Sequence, residues 1–268
     1  MELPLAGRTA VVTGASRRQG IGYAVAARLA GMGASLFVQH FAPHDAQQPW
    51  GADTIEDVLA GLRERLVDGA SLADASIDLA HGDGAVELIE RAGKNLGHLD
   101  ILVCNHARSG SDGPLEELSA DMLDGHWQVN TRSTILATQA FAAQHDGRPG
   151  GRVVWFTSGQ VAGPMRHEIA YAASKAALAG VTASVADGLV EHGIVLNTVN
   201  PGPVNTGYLD EGTADRPSEV LRDVLAHFPG GRFGEPDDPA RLIAWLVSDE
   251  GRWVVGQVIS TEGGFRRW

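Results

Sequence analysis

The sequence predicts an α/β protein built on a doubly wound, parallel sheet of seven strands with helices on both faces. Short β-type runs alternate with helical stretches from one end to the other. Most of the runs are too short and apolar to be solvated edges, which suits strands covered on both faces. A glycine-rich turn joins the first run to the first helical stretch. The runs are Thr9 to Thr13, Ser35 to Gln39, Ala75 to Ile77, Ile101 to Cys104, Arg152 to Thr157, Val195 to Val199 and Val258 to Ser260. Helical segments cover Gly22 to Gly31, Asp53 to Val67, Gly84 to Leu96, Ala120 to Gln144, Glu168 to Glu191 and Pro239 to Ser248. Each is about long enough to cross back over a sheet, so right-handed crossovers are expected. Two stretches break the rhythm: Phe41 to Gly51 with its two prolines, and Gly202 to Gly234, where Gly, Pro and charge are mixed. Long loops of this kind often cover a site. No repeat, low-complexity tract or flexible linker divides the chain, so residues 1–268 are expected to form a single domain, with a long loop at about 202–234.

Composition narrows the function classes. Apolar residues make up 44% and charged residues 20%, an ordinary globular balance. The formal charge of -12 is spread along the chain and argues against a nucleic-acid backbone as partner, leaving a small-molecule ligand. Cys104 is the only cysteine, so no intrachain disulfide exists, and Met1-Glu2-Leu3-Pro4 does not open a secretory signal; a cytoplasmic setting is expected. Arg28, Arg91, Asp187 and Arg241 interrupt the apolar runs, so no membrane span is expected. The histidines show no paired spacing such as His-Glu-x-x-His, and no metal site is expected.

The run Ala10 to Gly14 passes through Ala15-Ser16-Arg17-Arg18-Gln19-Gly20-Ile21-Gly22 into an alanine-rich helix. Glycines at 14, 20 and 22 let the backbone turn sharply and approach a pyrophosphate at the positive end of a helix dipole. An acid after the second strand would accept the ribose hydroxyls of NAD, but the sequence there is Val38-Gln39-His40-Phe41. Arg17 and Arg18 are near enough in sequence to pair with a 2'-phosphate, which favours NADP(H), with NAD(H) open; as plain surface charges they would do neither.

Tyr171 and Lys175 stand four apart in a helical segment and so project from one face. A phenol is a poor base at neutral pH, and an adjacent ammonium favours its ionised form, so Lys175 is expected to tune Tyr171. Ser158 ends the strand thirteen residues earlier, where open sheets bind ligands, and is placed to donate to a substrate oxygen; a serine taken alone is more often a loop or cap residue, and it is the position that favours the functional role.

With these residues in view, the chain resembles the short-chain dehydrogenase/reductase family in its single-domain, Rossmann-type form, over nearly its whole length. The matching features are Thr13-Gly14 to Gly22, Asp100 to Val103 leading to Asn105, Gln128-Val129-Asn130, Ser158, Tyr171 with Lys175, and Asn200-Pro201-Gly202. The resemblance implies a tetrad: Tyr171 exchanges the proton, Ser158 orients the carbonyl, Lys175 holds the nicotinamide ribose and Asn130 anchors a relay water. It implies cofactor contacts from Gly14, Ser16, Arg17, Arg18, Gly20, Ile21 and Gly22 in the turn. His40, then Asp78 and Leu79 at the adenine, and Asn105, His106 and Ala107 follow. Tyr171 and Lys175 share the nicotinamide side with Pro201, Gly202, Val204 and Thr206. It also implies a homotetramer or homodimer. The turn carries two residues more than the family's spacing, and Cys104-Asn105-His106-Ala107 stands where the family has Asn-Asn-Ala-Gly. His106 is expected to shape the site or touch the cofactor, and Cys104 to be a buried small residue. Gly231 to Pro236, Gly256 to Ile259 and Glu262-Gly263-Gly264 resemble the branch of 3-oxoacyl carrier-protein reductases.

The expected reaction is NADP(H)-dependent reduction of a carbonyl, a 3-oxoacyl thioester or another ketone, to a secondary alcohol, with Tyr171 as the acid/base. An NAD-dependent alcohol or sugar dehydrogenase would share the tetrad, and a non-catalytic dinucleotide-binding regulator would be expected to lack part of it. Met165, Arg166, His167, Tyr208 and Leu209 are candidate pocket residues by position; Arg166 would attract an anionic substrate or be merely solvated.

Overall fold

The computed structural model describes residues 3–214 and 216–267, apart from the side chain of Val161. In chain order it has β1 (Thr9–Val12), α1 (Ile21–Gly31), β2 (Ser35–His40), α2 (Ala42–Asp45), α3 (Ile55–Arg63), β3 (Leu72–Ser76), α4 (Gly84–Leu96) and β4 (Ile101–Cys104). Then follow α5 (Ala120–His126), a wide π-turn (Trp127–Arg132), α6 (Ser133–Gln144), β5 (Gly151–Phe156), α7 (Ile169–Val190), β6 (Ile194–Asn200), α8 (Ser218–Ala226), α9 (Asp237–Val247) and β7 (Val258–Ser260). The strands form one parallel, seven-stranded sheet in the order β3-β2-β1-β4-β5-β6-β7.

Alternation along each strand feeds two cores. Val12, Leu36, Val38, Ile101, Val103 and Val154 face one side with buried residues of α1, α3 and α9, while Val11, Phe37, Leu102, Val153 and Trp155 face the other with α4, α6 and α7. β1, β4 and β5 are buried on both faces, as their largely apolar character predicts. The strand order reverses between β1 and β4, and the crevice beyond their carboxyl ends is where a fold of this kind receives a ligand.

Several boundaries differ from the sequence reading. The third strand is Leu72–Ser76 and not Ala75 to Ile77, because pairing from Leu36↔Leu72 to His40↔Ser76 fixes an edge strand whose Asp74 and Ser76 are exposed. α3 starts only after Thr54, whose hydroxyl accepts the Asp57 amide as a cap. Ala120 to Gln144 is interrupted by the π-turn, and Gly202 to Gly234 contains α8. α7 corrects the expectation that no helix is long and apolar enough to span a bilayer: it has 22 residues and a mean hydropathy of 1.3 over its most apolar window. It packs against β6 and the π-turn with Ser174, Lys175, Leu178, Thr182, Ala186 and Leu189 buried.

Candidate active site

β1 delivers Gly14 to the crevice with φ +67°, a conformation open to glycine, and a Cβ there would lie 2.8 Å from His106 Cα. At Gly22, a Cβ would lie 2.5 Å from the Gly14 carbonyl oxygen and 2.7 Å from Asn105 Nδ2. Asn105, arriving from β4, fills that space and donates to the carbonyls of Thr13 and Gly14 at 3.0 Å each. The turn is therefore clamped from below by β4. Its two additional residues form a tight turn in which the Gly20 amide donates to Arg17 O at 3.0 Å, and the Arg18 amide donates to Asp53 at 2.6 Å. Gln39 holds the other side, accepting the Gly14 amide at 2.9 Å and donating to Ile77 O at 2.7 Å.

His106 lies beneath this turn, almost wholly buried. Its Nδ1 is 2.6 Å from the Thr13 hydroxyl, and its Nε2 is 2.7 Å from Ser133 Oγ and 3.1 Å from Val129 O. A carbonyl only accepts, so Nε2 carries the proton and Nδ1 accepts from Thr13. Burial, helped by the Lys175 charge, pushes the imidazole down to about 3 and keeps it neutral. It is a strut between β1, β4 and the π-turn. His40 is also buried and turns sideways to Asp74, 3.1 Å away, rather than toward the turn. Arg17 is neither a free guanidinium nor a solvated one: it pairs with Asp45 at 3.4 Å, donates to Thr206 O at 2.7 Å and lies 5.7 Å from the centre of the Trp50 ring. Arg18 is exposed. Asp78 accepts the Ala80 amide at 2.8 Å beyond β3, beside buried Leu79.

The tetrad residues come from three elements. Asn130 sits in the π-turn, an insertion that re-aims one side chain within an otherwise continuous helix. Its Oδ1 accepts the Arg108 amide at 2.7 Å and its Nδ2 donates to Ser174 Oγ at 2.9 Å, which in turn donates to Tyr171 O at 2.7 Å. Ser158 follows β5 and caps the short turn Gly159–Val161; its hydroxyl donates to Gln160 Oε1 at 3.1 Å. Gln160 passes the connection on to Glu168, which also meets Arg216 at 3.4 Å.

Tyr171 and Lys175 project from one face of α7, with Lys175 Nζ 5.8 Å from the phenol ring centre. Lys175 is almost fully buried and donates to Phe156 O at 3.2 Å; burial lowers its ammonium to about 8, an effect the Cys104 thiol opposes. The tyrosine departs from expectation: burial raises the phenol above its ordinary value, and Glu168 and Tyr208 raise it further, so the neighbouring lysine does not draw it down in this structure. Cys104 behaves as an inert core residue, its thiol pushed up to about 12 by burial.

Sequence reasoning missed Asp112. Its buried carboxylate accepts the amides of Ala170 at 2.9 Å and Tyr171 at 2.8 Å, capping the first turn of α7 where Glu168, at the cap position, makes no side-chain cap bond. Gly110 and Ser111 both take positive φ, 72° and 49°, immediately before it. His126, fully buried, donates to Gly110 O at 2.9 Å and sets its ring edge-on to Tyr171 at 5.9 Å. Nothing in the sequence links a Ser-Asp-Gly-Pro stretch to a helix nearly sixty residues away.

Of the candidate pocket residues, Met165, Arg166 and His167 are exposed, Leu209 is buried, and Tyr208 packs edge-on against Trp50 at 6.1 Å with Arg216 5.7 Å over its ring. The two irregular loops thus meet across the crevice. Among the described residues no cluster of three or more potential metal ligands occurs.

A parallel sheet with its glycine turn at the reversal point, and a tyrosine–lysine helix beside it, defines an α/β oxidoreductase of the dinucleotide-binding class. The family profile described as Enoyl-(Acyl carrier protein) reductase matches residues 14–266. An "Uncharacterized oxidoreductase YjdA" of Bacillus subtilis is 38% identical over 264 residues, covering 97% of both chains. The structure of a short-chain dehydrogenase/reductase from Serratia marcescens is 32% identical, with a TM-score of 0.83 over 98% of this chain and 99% of that one. A short-chain dehydrogenase from Burkholderia cenocepacia, solved in complex with NADP, is 32% identical, with a TM-score of 0.82 over 97% and 98%. The chain belongs to the short-chain dehydrogenase/reductase family of oxidoreductases.

Proposed function

We propose that the chain reduces a ketone, a 3-oxoacyl thioester or another small carbonyl compound, to a secondary alcohol with NADP(H). The observation that supports this reading is the pairing of Tyr171 and Lys175 on one face of α7, with Lys175 Nζ 5.8 Å from the phenol ring centre and Asn130 tied to the first turn of that helix through Ser174. The chain fits a dinucleotide: α1 is preceded by Gly20 at its cap position, with no side-chain cap and no acid in its first turn, which suits its orphan amides to a pyrophosphate. Gly14, Ser16, Arg17, Arg18, Gly20, Ile21 and Gly22 would hold the phosphates, with Asp78 and Leu79 at the adenine. Asn105, Ala107, Lys175, Pro201, Gly202, Val204 and Thr206 would hold the nicotinamide half. His106 supports this set from below, and His40 is turned to Asp74.

When bound, the cofactor supplies the hydride. Ser158 orients the substrate oxygen, exchanging its bond to Gln160 for one to substrate. Tyr171 holds the proton that this oxygen takes up, and its phenol, raised above the ordinary value, releases that proton only as the oxygen develops charge. Lys175, buried and with its ammonium lowered to about 8, holds the ribose. Tyr171→Phe should lower turnover by about a hundredfold or more while leaving cofactor affinity within a few-fold, in a spectrophotometric NADPH-oxidation screen over acyl thioesters, ketones, quinones and sugars. Retained turnover refutes the assignment. Asp45 beside Arg17 favours a second reading, an NAD-dependent alcohol or sugar dehydrogenase. We also propose a homotetramer or homodimer, supported by exposed Leu123, Trp127, Val181 and Val190 on the outer faces of α5, the π-turn and α7, and a cytoplasmic setting, which a single, buried cysteine suits.

A further inference from the structure

The second strand ends without the acid that would meet a ribose 2'-hydroxyl, yet the structure brings carboxylates to the turn by another route. α2 folds the segment after β2 back onto the glycine-rich turn, where Asp45 accepts from the Ser16 hydroxyl and pairs with Arg17 Nε at 3.4 Å. Both partners are largely enclosed, with 13% of the Arg17 side chain and 15% of the Asp45 side chain exposed. Asp53, from the same segment, takes the Arg18 amide at 2.6 Å. The hydroxyl and guanidinium that would serve a 2'-phosphate, a donor pair suited to two oxygens of one anion, are thus already satisfied by an anion of the chain itself. Trp50 against Arg17, and the Arg17 bond to Thr206 O, hold the arrangement in place.

We propose that Asp45 is an internal stand-in for the 2'-phosphate and the residue that sets discrimination between NADPH and NADH. It rests on the reading of the Gly14 to Gly22 turn as the dinucleotide site. A 2'-phosphate reaches Ser16 and Arg17 only by displacing Asp45, and two like charges cannot share that donor pair without strong repulsion. NADH requires no displacement, because its ribose hydroxyls can donate to the carboxylate where it stands. Asp45 therefore restrains the advantage that the two arginines give NADPH.

The test is the ratio of dissociation constants, Kd(NADPH)/Kd(NADH), measured by fluorescence titration of the full chain. In Asp45→Asn, which keeps an acceptor for Ser16 and removes the charge, the ratio should fall about tenfold in favour of NADPH. In Asp45→Glu it should stay within about twofold of wild type. An unchanged ratio in Asp45→Asn, or parallel shifts for both cofactors, overturns the proposal. A readout on the unmodified chain is hydrogen exchange over residues 42–48, which should be faster in the NADPH complex than in the NADH complex; equal exchange counts against displacement. The wild-type ratio separately judges the NADP(H) preference, since tighter NADH binding ends that preference while the Asp45→Asn ratio still decides the role of Asp45. Binding of neither nucleotide ends both.

Discussion

The individual side chains around the crevice were readable in kind but not in partnership. Tyr171 and Lys175 announce themselves by spacing, Ser158 by its place after a strand and Asn130 only through the family resemblance, whereas Asp45 and Asp112 stand in loops whose course no periodicity encodes. His106 shows the same limit: its place after β4 suggests cofactor contact, and only the fold reveals three partners in the core. Its burial has a consequence for stability. The folded chain holds the imidazole neutral to about 3, while the unfolded chain takes up a proton near the ordinary histidine value, so the unfolded state binds more protons between those limits. Stability therefore falls as pH drops through that window, by about 1.4 kcal/mol for each pH unit at most. In His106→Ala the slope of unfolding free energy between pH 6.5 and 4, from urea titrations at each pH, should be shallower than in wild type by an amount of this order. Parallel slopes would show that His106 takes a proton within the fold.

Among the elements, β4 lies within the bounds that its apolar run suggests, because β1 and β5 on either side leave little choice of register, while β7, an edge strand with the expected bounds, takes its register from β6 alone. β3 was displaced because an edge strand with exposed Asp74 and Ser76 carries little apolar signal and takes its place from β2. The π-turn was invisible because its residues continue a helical period on both sides. α7 matters most to chemistry, since its first turn carries Tyr171 and its anchorage comes from outside the helix. Removing the Asp112 carboxylate leaves the Ala170 and Tyr171 amides without an acceptor and should destabilise the fold by about 1–2 kcal/mol. If Asp112 also fixes the aim of the phenol, Asp112→Ala should lower kcat about tenfold with KM for the nucleotide nearly unchanged, and Asp112→Asn, which retains an acceptor, should recover much of that loss. Equal kcat in wild type and Asp112→Ala, measured well below the melting transition, would reduce Asp112 to a purely structural cap.

At the level of the whole molecule, the layered sheet was legible from alternation and the two irregular loops stood out as candidates to cover a site, while the contacts that join those loops were not legible. Arg17, Trp50, Tyr208, Arg216 and Glu168 form a chain of ring and ion contacts joining the glycine-rich turn to the segment that holds Ser158. The Trp50 contacts with Arg17 and Tyr208 are together worth about 1–2 kcal/mol. Trp50→Ala should therefore make residues 41–54 and 205–214 more sensitive to limited proteolysis together, and cleavage in only one of them would mean that the loops open independently. The turn and its floor raise a matter of portability. Because Asn105 occupies the volume that methyl groups on Gly14 and Gly22 would need, the shape of the nucleotide loop belongs to two distant stretches of chain at once. Grafted into another scaffold as a contiguous peptide, the loop would carry its glycines but lose the amide that props them, and so would arrive as a hinge instead of a cradle.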